Sequence, residues 1–400
     1  MLTKEKLFYI GVLIFSALFL LVGNRIASRD RYTLPDEFAM QYYSGVVTEI
    51  VDRIQEDATF GWDDSNIDIT LIFNVRITDG GQRGEIVEAE QRLFGLFSAN
   101  EREVTVGDRV IIFHDTFGSA YHFVNYHRIN SLLILGAVFL ALVIVFGRKK
   151  GFSAIVSLGF TCMAVFMVFI PAILSGKNIY ITTIIICAFA IVSTLLIVIG
   201  PNKKSWSAMI GCLGGVLVAG ILMLIMDGVL HLTGMLDHET VSLLHISTDP
   251  PINLRAIIFA GVILGAVGAI MDVAMSISSS LWELKEAGGV SDFRDILKSG
   301  INIGKDILGT MLNTLILAYI GSSLSVILLM TVHTTSLTEL FSMEMIIVEV
   351  LRALVGSFGM LLTIPLTAGI CGWLYASGHE DNAGDSRDFI DEYYASLRKR

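Results

Sequence analysis

The chain has 400 residues, 54% hydrophobic and 16% charged, with a formal net charge of −10 and a mean hydropathy of +0.68. Soluble domains carry roughly a quarter charged residues, so this composition excludes an ordinary soluble enzyme, a nucleic-acid binder and a disordered chain, and points to a polytopic membrane protein. The charge is peripheral: positions 25–130 hold 18 acidic residues against 10 arginines, and positions 377–400 hold 6 acidic against 4 basic, which accounts for the whole −10.

A bilayer core is crossed by about 20 apolar residues in a helix. In chain order the first such run is Leu7–Val22, read as an uncleaved anchor because no small-x-small cleavage site follows it. The segment after it reads as β structure. Ser44–Val51, Ile67–Ile77, Glu85–Leu93 and Val104–Phe113 have period-2 or short apolar patterns, with turn signals at Asp79-Gly80-Gly81 and Gly107-Asp108. Four or five strands in about 100 residues suit a small barrel of the OB type. That barrel lacks the basic, aromatic-studded face that polymer binding needs, and is read as a docking or spacer domain.

Seven further apolar runs follow: Leu132–Phe146, Phe152–Leu174, Ile179–Ile199, Trp206–Met226, Ala256–Trp282, Ile301–Met330 and Met345–Tyr375. The expected fold class is therefore mainly α, a polytopic membrane protein with eight transmembrane helices plus a small extracytoplasmic β domain, an OB-like barrel. The domains are a transmembrane anchor (1–24), an acidic β domain (25–130), a seven-helix transmembrane domain (131–377) and a charged tail (378–400). The clusters Lys4/Lys6, Arg148-Lys149-Lys150, Lys203-Lys204, Lys285 to Lys305 and Arg398-Lys399-Arg400 all fall on one side. The positive-inside rule makes that side, and both termini, cytoplasmic, with the β domain outside.

Polar groups inside the spans mark functional positions. Asp272 in the sixth span leads them, with Ser276 one turn on and Ser279 beyond it, while Gly261, Gly265 and Gly268 are read as an opposite stripe for close helix contact. The seventh span offers Asp306, Asn313 and Thr314, and Asn313 is the expected hydrogen-bond partner of Asp272. In the eighth, Glu349 and Arg352 are spaced for an intrahelical ion pair, with Arg352 alternatively a counter-ion for a carboxylate on another helix. Gly211/Gly215 and Gly261/Gly265 are read as contact faces for a second chain.

His231, His238 and His245 recur every seven residues in the loop Asp227–Leu254. One helix would align them as a weak metal site or pH sensor; the plainer reading is a hydrated re-entrant loop. Ser291 and Asp292 suit a helix start, and the tail from Asp388 suits an amphipathic end helix. The four cysteines lie inside spans as packing residues. No phosphate loop, nucleophile elbow or zinc-hydrolase motif occurs, so neither an enzyme nor a cofactor is expected.

The whole chain resembles the YibE/F-like membrane proteins, most clearly over Gly265–Ala287 (GAVGAIMDVAMSISSSLWELKEA). The resemblance implies a multi-span protein of a bacterial cell membrane, without naming a substrate. More distantly, the hairpin from Gly261 to Leu317 resembles the central one of SecD/SecF and resistance-nodulation-division proteins, through Gly268, Asp272, Glu283, Glu286, Gly300, Asp306, Asn313 and Thr314 in order. That likeness implies proton coupling at Asp272 and a second chain, of the same family or a copy of this one, completing the assembly. The function read from these features is a secondary transporter or proton-linked component acting on a small molecule or ion. The alternative is a non-transporting scaffold whose β domain docks an envelope partner.

Overall fold

The computed structural model describes residues 4–29, 41–57, 67–94, 101–114, 120–246, 250–288, 292–333 and 336–376. Ser291 and the tail from 378 lie outside them. The chain divides into two units, Thr33–Val143 and Met1–Tyr32 with Ile144–Arg400.

The first unit holds a closed barrel of five strands: β1 (Gln41–Asp57), β2 (Ile67–Ile77), β3 (Ile86–Leu93), β4 (Arg109–His114) and β5 (Tyr121–Tyr126). Their order around the barrel is β1-β2-β3-β5-β4. All pairings are antiparallel except β3 with β5. Alternation along the strands puts Val47, Leu71, Phe73, Val75, Ala89, Val110 and Ile112 inside, joined by Val104 from the preceding loop. The β2–β3 turn uses Gly80 (φ +72°) and Gly84 (φ +92°), and Gly107 (φ +94°) turns the chain into β4. Long β1 bends through register shifts at Val47/Glu49 and Ile50/Asp52 to pair with both β2 and β4. Buried Gln91 seals one end, accepting from Val104 N–H at 2.9 Å and donating to the Arg102 carbonyl at 3.1 Å. On the surface, Arg53 lies 2.8 Å from Glu103 and holds that carboxyl below its ordinary range.

Among the described residues, seven helical stretches are long and apolar enough, by length and composition, to cross a membrane: α1 (Lys4–Ala27), α2 (Ile129–Leu174), α3 (Ile179–Val198), α4 (Lys203–Leu230), α5 (Leu254–Glu286), α6 (Phe293–Ser322) and α7 (Glu344–Ala376). The second of these stretches holds two of the eight expected spans. Leu132–Phe146 and Phe152–Leu174 both fall within Ile129–Leu174, which is two helices meeting at a kink, so each expected span is present as a helix. The kink is at Arg148, whose φ of 47° and ψ of −126° are not helical. At 1.5 Å per residue the 46 residues of α2 amount to about 69 Å of helix in total, enough for two crossings of a bilayer core.

In the second unit α7 is central, packed against α4, α5 and α6, and α4 packs on α5. The shared core includes Ala208, Val216, Ala219, Ile263, Ala266, Ile270, Val355 and Met360. A second cluster seats α1 on α2 and α3 through Leu20, Val168, Phe169 and Ile186, with Phe19 stacked on Phe189 at 4.1 Å. Side-chain caps fix two starts: Asn178 accepts from Ile181 N–H and Asn253 from Ala256 N–H, each at 3.2 Å.

Candidate functional site

Along α5 the core-facing side carries Ile263, Ala266, Ile270, Val273, Ala274 and Ile277. The exposed side carries Gly261, Gly265, Gly268 and Asp272, with Ser276 half-buried beside them. Steps of four, three and four residues return to one helical azimuth. The three glycines therefore share the face of Asp272, and the expectation of opposite stripes is corrected. The result is a strip of nearly bare backbone ending at a carboxylate.

Two walls flank this strip. On one side α6 lays Tyr319 over Gly265, whose Cβ, if present, would stand 2.7 Å from the phenol oxygen; at Gly261 the Arg352 guanidinium of α7 is 3.8 Å from the same construction. On the other side Gly268, Leu264, Val267 and Met271 line a cavity of about 360 Å³ with Ser157, Thr161 and Thr194. Ser157 donates to Thr194 at 2.8 Å, so the remaining lining is largely apolar.

Glu349 and Arg352 form the intrahelical ion pair at 2.5 Å, which leaves Arg352 engaged rather than a free counter-ion. The second carboxylate oxygen of Glu349 and the Tyr319 hydroxyl are buried without a hydrogen-bond partner among the described residues. Asp272 makes no hydrogen bond or ion pair with Asn313; Asn313, Thr314 and Asp306 are exposed on α6, and Thr314 donates to its own helix at the Thr310 carbonyl, 2.9 Å away.

The α4 glycines have a different role from the expected one. Gly211 and Gly215 are buried against α7, where added Cβ atoms would meet Thr367 and Thr363, so they are spent inside the chain and offer no face to a second one. The histidines do not share one helix. His231 ends α4 with φ 52°, Gly234 turns at φ +89°, and His238 opens a separate five-residue helix capped by Asp237. The side chain of His245 lies outside the described residues. No group of three metal-ligating side chains occurs among the described residues.

Two arrangements were invisible in the sequence. A hydroxyl cluster joins three helices: Ser207 (α4), Ser278 (α5) and Tyr375 (α7) lie 2.7, 3.0 and 2.9 Å apart, and Ser278 donates to the Lys204 carbonyl at 2.7 Å. The serine-rich stretch after Asp272 was the only signal, and it did not single out Ser278. At the opposite end, the Glu344 carboxylate at the start of α7 accepts from Thr233 N–H, Gly234 N–H and Thr233 Oγ1, each at 2.7 Å. Charged acceptors make the stronger hydrogen bonds, so Glu344→Ala should cost about 1–2 kcal/mol. An unchanged thermal unfolding midpoint in detergent would show that this clamp carries no stability.

Long apolar helices closed around a shared helical core define the class, an integral membrane protein with an appended β-barrel domain. A family model described as YibE/F-like protein matches residues 135–377, and the chain belongs to that family. Comparison with curated proteins and with solved structures gives no match.

Proposed function

We propose that this protein is a secondary transporter or proton-linked membrane component in which Asp272 gains and loses a proton. One observation carries the reading: Asp272 projects from the open, glycine-floored face of α5 and has no hydrogen bond or ion pair among the described residues. A carboxylate in a span is costly, and one held by no partner is free to change its charge state as its surroundings alternate between lipid, water and protein. The adjoining cavity of about 360 Å³ and the unpartnered Tyr319 and Glu349 oxygens give the same face further polar positions. Ser276 belongs to the proposal as polar lining and the Arg352–Glu349 pair as a fixed charge couple, while Asp306, Asn313 and Thr314, exposed on α6, stand outside it. The site lies in a bacterial plasma membrane with both termini cytoplasmic and the β domain outside. It works without enzyme chemistry or a cofactor.

The test is proton movement into proteoliposomes under an imposed pH gradient, read by an internal pH dye. Asp272→Asn should abolish the protein-dependent movement while leaving the detergent-purified protein folded, and Asp272→Glu should retain part of it. Equal proton movement by wild type and Asp272→Asn defeats the proposal. The scaffold reading makes a different forecast, since deleting residues 44–113 would then remove function and Asp272→Asn would not.

A further inference from the structure

We propose that a second copy of this chain packs along the exposed polar face of α6. That helix is the least apolar of the seven, with a best-window hydropathy of 1.2 against 2.0–2.8 for the others. Its polarity is not scattered. Asn302, Asp306, Gly309 and Asn313 recur at steps of four, three and four residues, all exposed, and exposed Lys305 adjoins them. The buried positions Ile296, Gly300, Gly304 and Leu315 serve the packing within the chain, and Gly300 and Gly304 meet α7. None of the side chains of Asn302, Lys305, Asp306 and Asn313 has a hydrogen bond or ion pair among the described residues.

Acyl chains cannot satisfy an amide or a carboxylate, so a stripe of this kind in a spanning helix is covered by protein or by water. The stripe is complementary to itself, which selects a second copy as the cover. A two-fold axis along the membrane normal brings residues of equal depth together. Lys305 then meets Asp306 of the second copy, and the exchange is neutral in both directions. The Asn313 amide, donor and acceptor at once, pairs with its own equivalent. Gly309, between them, lets the two helices approach closely. This face is separate from the Asp272 face of α5, so the interface stands or falls independently of proton coupling.

The test is disulfide trapping in native membranes, in a Cys162→Ser background because Cys162 is the exposed cysteine. Gly309→Cys and Asn313→Cys should give a covalent dimer several-fold above Ile185→Cys and Leu217→Cys, which stand on exposed apolar faces of α3 and α4. Lys305→Asp should weaken the trapping at position 313, and adding Asp306→Lys should restore it. Four results overturn the proposal in a folded, membrane-inserted protein: no dimer at 309 and 313, equal dimer at the control positions, an adduct with the mass of a different protein, or free labelling of both positions by a membrane-impermeant maleimide.

Discussion

Gly215→Val should abolish the folded membrane unit, or lower its thermal midpoint more than any other single glycine substitution in α4. The cause is the closeness of two backbones. A Cβ on Gly215 would stand 1.8 Å from Thr363 Oγ1, 3.0 Å from Ile270 Cγ2 and 3.2 Å from the Gly359 carbonyl oxygen. One turn away, a Cβ on Gly211 would lie 2.1 Å from Thr367 Oγ1 and 3.0 Å from the Thr367 Cα. Thr363 cannot swing aside without losing its 2.7 Å bond to the Gly359 carbonyl, and a carbonyl oxygen moves only with its helix. Relief therefore requires α4 and α7 to separate, which also opens the packing of α5 through Ile270. Overpacking costs about 1–3 kcal/mol where side chains can adjust; here backbone must move, so the upper part of that range or more is expected. Gly228→Ala on the same helix is the control: nothing lies within 4 Å of its Cβ position, and removing a helical glycine there should be neutral or stabilise by up to about 1 kcal/mol. Size-exclusion profile and thermal midpoint in detergent separate the two variants, and equal behaviour would show that α4 and α7 are not in this contact.

The two hydrophobic periods made much of this architecture legible. Period 2 located β2 and β3 to within one residue, on either side of the turn glycines Gly80 and Gly84, while the run Val104–Phe113 overran the turn at Gly107 that opens β4. The strand Tyr121–Tyr126 escaped: its residues are half-buried or exposed and polar groups interrupt the alternation, so only pairing with β4 and β3 reveals it. Apolar runs located the helices, and the break read at Arg148-Lys149-Lys150 between two spans is a kink at Arg148 rather than a loop. The Asp272 face was named residue by residue, yet its glycines were put on the wrong side of α5, an error of helical azimuth that the steps between 261, 265, 268 and 272 correct. What no single-chain pattern could supply was the pairing between helices. Nothing in the local sequence says that Gly215 faces Thr363, or that Arg352 comes beside Gly261. Those contacts are set by which helices are neighbours, a tertiary fact.

Tyr375→Ala should destabilise the protein by about 3–5 kcal/mol, the range for deleting a fully buried aromatic ring, whereas Tyr375→Phe should cost only about 1 kcal/mol. Tyr375 has no exposed surface. Its ring meets Trp282 edge-on at 5.2 Å, and the Lys285 ammonium lies 5.9 Å from its centroid while donating to its carbonyl. Alanine removes the ring that fills the junction of α4, α5 and α7 and leaves a void bordered by three hydroxyl-bearing or charged side chains. Phenylalanine keeps the ring and removes only the hydroxyl, and the serines retain their own partners: Ser207 and Ser278 remain 2.7 Å apart, and Ser278 still reaches the Lys204 carbonyl. The cluster should nevertheless act as a unit. A double-mutant cycle of Ser278→Ala with Tyr375→Phe should give a coupling of at least about 0.5 kcal/mol, as residues sharing one hydrogen-bond network do. Thermal or denaturant unfolding in detergent supplies all four corners. If the alanine variant is no less stable than the phenylalanine one, the ring is not packed at this junction; if the cycle closes to zero, the Ser278 and Tyr375 hydroxyls are neighbours without being coupled to one another.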